Sequence, residues 1–212
     1  METLLLALIL LLPLATAVGV VYTGHDPDRR ETVTVASGVL LFLLVSALAL
    51  MADWADAPRL VLAEPIEGVA LALSPEPLGL MFALVASFLW PVTSVYAIGY
   101  MRAHHEENQT RFYAAFAVSI SATMGIALSA NMFSLFVFYE ILTVSTYPLV
   151  THAGTDSARR AGRVYLGLLM GTSIVFLLLA MIWTWWLTGT LEFTSGGVFG
   201  DESAFVLGLL LV

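Results

Sequence analysis

The chain has 212 residues, of which 59% are hydrophobic and only 11% charged, with 8 basic against 16 acidic residues for a net charge of −8. So little polar surface cannot coat a soluble globule of this size, so the chain reads as an integral membrane protein, and the acidic balance argues against nucleic-acid binding. Cysteine is absent, which excludes a disulfide framework and thiol catalysis and leaves the redox compartment unassigned.

Apolar segments of bilayer-spanning length recur at roughly 3–21, 33–51, 78–100, 112–130, 131–150 and 164–187, and Ala204 to Val212 begins another. The expectation is an all-α integral membrane protein, one membrane domain over 1–212 with six transmembrane helices plus the start of a seventh. The first segment ends near Ala15-Thr16-Ala17, a small-residue pattern like a signal cleavage site. Its flank carries only Glu2 and no positive charge, and the apolar run continues to Val21, so it is read as a retained helix. Leu60 to Pro77 is apolar but broken by prolines and glutamates, which predicts a short hairpin at the membrane surface. Ser129-Ala130-Asn131 is the expected tight turn between the fourth and fifth helices, and Pro91 and Pro148 are expected to bend the third and fifth.

The basic residues are all arginine. Arg29, Arg30, Arg102, Arg111, Arg159, Arg160 and Arg163 fall in odd-numbered loops and only Arg59 in an even one. Under the positive-inside rule the odd loops are cytoplasmic and Met1 starts outside. His104, His105, Glu106 and Glu107 in the third loop invite a metal reading, but adjacent positions seldom point at one ion, and the run is read as a solvated loop. The Ala158–Arg163 run could hold lipid head groups, with orientation as its default explanation. Trp183, Trp185 and Trp186 suit an interfacial belt. No nucleotide fingerprint, catalytic triad or paired-carboxylate pattern is present.

Glu140 stands apart, near the middle of the apolar run Asn131 to Val150. An ionised side chain at that depth costs at least a few kcal/mol, so such residues face a bundle interior or a water-filled cavity and mark function. Helical spacing puts Phe136, Val137, Thr143, Val144 and Tyr147 on its face. Thr143 and Tyr147 are candidate supports near the carboxylate, although hydroxyls in membrane helices also bond to their own backbone or join helices. His152 lies at the cytoplasmic end of the same helix, about 18 Å away at 1.5 Å per residue. It reads either as the first proton acceptor of a path or as a solvated helix-end cation.

Phe138-Tyr139-Glu140-Ile141-Leu142-Thr143 with Tyr147-Pro148-Leu149-Val150 resembles the fifth-helix signature of the antiporter-like subunits. These are the proton-channel subunits of respiratory complex I and the D-type subunit of multisubunit Mrp cation/proton antiporters. Ser94 to Met101, Arg111-Phe112-Tyr113 and Gly125 to Phe133 are similar to other stretches of that family in the same order. The resemblance is strong from about Pro77 onward and looser before it. It implies the N-terminal part of an antiporter-like inverted-repeat fold, with Glu140 as a protonatable switch that pairs with a lysine on a broken seventh helix. A nearby ammonium favours the ionised form of a carboxylate and its withdrawal favours protonation. This chain holds no lysine, so it is expected to be either a fragment of a longer product or a split half completed by another polypeptide.

The function so implied is proton translocation within a multisubunit cation/proton antiporter or a complex-I-like assembly of the cell inner membrane. The partners would be the lipid bilayer, other membrane subunits, protons and, as a further candidate, Na⁺. No quinone, flavin or iron–sulfur ligand pattern and no active site is found in the chain, so any redox chemistry, such as that of a proton-pumping NADH:quinone oxidoreductase-like complex, would belong to partners and no cofactor is expected here. The rival reading is a non-transporting membrane scaffold with Glu140 a buried contact.

Overall fold

The computed structural model describes residues 2–52, 57–194 and 198. Helix α1 covers Glu2–Tyr22 and α2 covers Pro27–Met51. Strands β1, Leu60–Ile66, and β2, Val69–Leu73, form a hairpin. Helices α3, Pro77–Ala103, α4, Gln109–Ala127, and α5, Met132–Val150, follow. The last rod starts as α6, Asp156–Thr172, passes through a π-helical turn at Ser173–Leu178 and ends as α7, Leu179–Thr188. Five of these rods are long and apolar enough to cross a membrane: α1, α2, α3, α5 and the continuous 156–188 helix. The fourth predicted span is helical as α4, but Gln109, Arg111, Ser119, Ser121 and Thr123 dilute its apolar character, so the expected count of six spans rests on five such helices and one more polar one. The predicted start of a seventh helix at 204–212 lies outside the described residues.

Helices α2 and α6 begin well before the apolar runs that mark them, at 27 and 156 rather than 33 and 164. Hydropathy sees only the part of a helix that sits in hydrocarbon, whereas caps decide where it starts. Asp26 caps α2, its carboxylate accepting from the Asp28 and Arg29 amides at 3.2 and 3.3 Å, with Pro27 at the first helical position. Thr155 caps α6 through the Ala158 amide at 3.1 Å. Most arginines read from the sequence as loop residues therefore lie in the first or last turns of helices.

α4 is the hub, packed on α1 on one side and α5 on the other, while α2 joins α1 to α3. Helices α1 to α3 each bury a stripe at three- and four-residue spacing, such as Leu6, Ile9, Leu10, Pro13 and Ala17 on α1 and Leu80, Ala83, Ser87, Trp90 and Ser94 on α3, whereas α6 buries only Gly162. Close approaches fix the packing. A Cβ on Gly79 would lie 2.0 Å from the Ala127 carbonyl oxygen, and one on Gly125 would lie 2.2 Å from the Phe138 ring.

The hairpin is tied to the α4–α5 turn. Ala130 N–H donates to Ala72 O at 3.0 Å, Ser74 N–H to Leu128 O at 2.8 Å, and Ala72 N–H to Ser134 Oγ at 2.8 Å. β2 is therefore buried while β1 stays exposed. A short hairpin between two spans thus becomes a brace for the entrance to α5.

Candidate functional site

α5 begins with a strong cap. Asn131 Oδ1 accepts from the Ser134 amide at 2.8 Å, and Asn131 Nδ2 donates to Ala70 O at 2.8 Å and to Glu192 Oε1 at 3.4 Å. Glu192 in turn accepts two bonds from Arg59, at 2.9 and 2.7 Å. The hydrogen bond to Glu192 holds the Arg59 guanidinium above its already high ordinary pKa, so it stays charged.

Two turns further along, Glu140 is different. Both of its carboxylate oxygens are shielded from solvent and have no hydrogen-bond partner among the described residues. Buried polar atoms are nearly always satisfied, and an unsatisfied buried group costs about 1–3 kcal/mol, more when charged. Trp90, Ser94 and Tyr113 also hold buried polar atoms without a partner among the described residues, but Glu140 is the group among these that can carry a negative charge inside an apolar helix.

The neighbours predicted for it divide. Thr143 is buried, and its hydroxyl donates to Tyr139 O of its own helix at 3.0 Å. It is committed as a donor to the backbone, in line with the structural alternative for membrane hydroxyls. Tyr147 packs at the start of α6, where a Cβ on Gly162 would meet its ring at 3.1 Å. Val144, expected on the same face, is 52% exposed. A pair that spacing could not reveal, Ser119 on α4 and Ser145 on α5, joins these helices by a 2.9 Å hydroxyl–hydroxyl bond just beyond Glu140.

His152 sits in the turn after α5 and is not solvated, with only 16% of its side chain exposed. Its Nε2 lies 3.7 Å from Glu106 Oε2, its ring meets Phe112 edge-on at 5.5 Å between centroids, and its carbonyl accepts from Arg111 Nη2 at 3.1 Å. Glu106, from the run that invited a metal reading, is thus a partner of His152, and His104 stacks instead on Tyr100 at 4.2 Å.

The largest feature hidden from sequence reasoning lies at the same end of the molecule. Arg30 and Glu31 are 5% and 6% exposed. Arg30 donates to Thr110 Oγ1 at 3.2 Å and Gln109 Oε1 at 2.7 Å and lies 5.3 Å over the Tyr113 ring. Arg102 donates to Glu31 Oε1 at 3.0 Å and also engages Asp28. These groups pin the starts of α2 and α4 to the end of α3. The only sequence signal was the run of charges at helix boundaries.

A multi-helix membrane protein with, among its described residues, one unsatisfied acidic residue inside an apolar helix is the class that fold and site define. Residues 129–211 match the family model described as NADH:quinone oxidoreductase/Mrp antiporter, TM. NADH-quinone oxidoreductase subunit N of Desulforudis audaxviator is 28% identical over 188 residues, covering 81% of this chain and 36% of that protein. The D-type subunit of a probable K⁺/H⁺ antiporter of Rhizobium meliloti is 28% identical over 182 residues, 82% of this chain and 33% of that protein. The Mrp complex from Dietzia superposes with a TM-score of 0.69 at 20% identity, covering 97% of this chain and 22% of that one. The archaeal membrane-bound sulfane sulfur reductase gives 0.71 at 19% identity, covering 88% and 28%. The chain is thus related to the antiporter-like membrane subunits, as the Glu140 signature implied, and it spans about a third of the length of these two curated relatives.

Proposed function

We propose that this chain is part of a proton-translocating antiporter-like subunit, with Glu140 as its protonatable switch. One observation carries the reading: the Glu140 oxygens are buried and unpartnered among the described residues in the middle of α5. A carboxylate without hydrogen bonds contributes nothing to holding helices together, which is what a scaffold would need from it. A group left without fixed partners is free to gain and lose a proton when a mobile charge or water approaches. The Ser119–Ser145 hydroxyl pair, between it and the arginine-rich end, and the His152–Glu106 contact, at that end, are the polar groups a path would use.

The relatives are subunits of antiporters and quinone oxidoreductases by their names, and the same setting is proposed here: a multisubunit antiporter or complex-I-like assembly of the cell inner membrane. Contacts of Arg30, Arg102 and Arg111 gather the basic helix ends on one side, while Arg59 bonds Glu192 on the other. This supports an orientation with the basic side cytoplasmic and the N-terminus outside. Protons, and Na⁺ as an exchange partner, would be the ions moved. The test is Glu140→Gln in the complete assembly. Proton flux should fall sharply while the complex still assembles; undiminished flux in the amide variant would sink the assignment.

A further inference from the structure

A groove of about 810 Å³ runs between α1 and α4 on the outer surface of the bundle. Its walls are apolar, with Ala17, Val18 and Val21 on one side and Ala114, Ala115 and Val118 on the other. Small side chains at Ala17, Ala114 and Ala115 make the floor deep. Thr110, Arg111 and Tyr22 close one end, and no carboxylate among the described residues lines it. From Thr110 to Val118 the groove extends about 12 Å along α4 at 1.5 Å per residue, close to the depth of one leaflet's hydrocarbon, about half of a 30 Å core.

The polar end lies on the arginine-rich side of the molecule. Arg111 gives one donor to His152 O at 3.1 Å. A guanidinium has five, and the others have no partner among the described residues. Tyr22 is 87% exposed at the end of α1, the position of an interfacial aromatic ring. We propose that this groove is a site for an anionic phospholipid, with an acyl chain lying between α1 and α4 and the phosphate on Arg111. A cation at the mouth of an apolar slot complements that shape and charge. A protein helix laid there would cover Arg111 and would need a carboxylate of its own to match it.

The test uses the whole assembly from its own membrane, reconstituted in nanodiscs with phosphatidylglycerol or phosphatidylcholine carrying a photoactivatable acyl chain. Labelled peptides are then mapped by mass spectrometry. Labelling of the Ala17–Tyr22 and Ala114–Val118 peptides should favour phosphatidylglycerol by about fivefold, the preference one arginine gives at an anionic surface. Arg111→Gln should erase that preference, and Arg111→Lys, which retains the charge and guards against misfolding of the first variant, should keep most of it. Equal labelling by the two lipids would reduce the groove to ordinary bilayer contact and overturn the proposal. So would an absence of lipid labels with protein–protein cross-links in their place.

Discussion

The two halves of α5 treat their polar residues in opposite ways. At the entrance, Asn131 and Ser134 make five hydrogen bonds with the Ala70 carbonyl, the Ala72 amide, Glu192 and each other. In the middle, Glu140 makes none among the described residues. Both are polar groups on a helix that crosses an apolar medium, where an unpaired group is costly. One end therefore uses polarity to fix the helix in place, whereas the Glu140 carboxylate fixes nothing among the described residues. The lesson is that burial of a polar side chain says little about its role until its partners are counted.

That contrast can be broken with substitutions, starting with those that should disturb the frame most. Gly79→Ala places a methyl group 2.0 Å from the Ala127 carbonyl, a backbone atom that cannot step aside. It should cost about 3 kcal/mol or fail to fold, read by thermal unfolding in detergent. Arg30→Ala removes a buried guanidinium with two hydrogen bonds and a ring beneath it, with an expected loss of about 2–3 kcal/mol. Asn131→Ala deletes the cap of α5 and the bond to Ala70, and should cost about 1–2 kcal/mol and raise amide exchange at the start of α5. Arg59→Ala breaks an ion pair whose side chains are 44% and 35% exposed, so the loss should stay below about 1 kcal/mol and shrink with added salt. Because hydrogen bonding to Glu192 raises the pKa of Arg59, the arginine's share of this pair persists below its ordinary value and vanishes only as pH climbs through the raised one. No loss on that account should be seen across neutral or mildly alkaline pH. Glu140→Gln comes last on this scale, since it removes no hydrogen bond within the described residues, and the melting temperature should hardly move.

Much of this was legible beforehand. Glu140 stood out because a carboxylate in an apolar helix is rare and costly, and the apolar runs located the helices because hydrocarbon demands them. The polar ends of α2 and α6 were not legible from hydropathy, because a helix continues past the bilayer wherever a cap such as Asp26 or Thr155 starts it earlier. Nor was the Arg30–Gln109 contact, whose partners are far apart in the chain. The bracing of Asn131 and Ser134 by the hairpin depends on tertiary placement of β2, and no local pattern encodes it. His152 read equally well as a solvated cation until Glu106 and Phe112 were found against it.

The central claim is that Glu140 changes protonation as the protein works, and infrared difference spectroscopy on the complete assembly in membranes tests it most directly. With an imposed proton gradient, a protonated-carboxyl band should appear and disappear with the gradient and be missing in Glu140→Gln. A difference spectrum that is the same in the wild type and the amide variant would contradict the account.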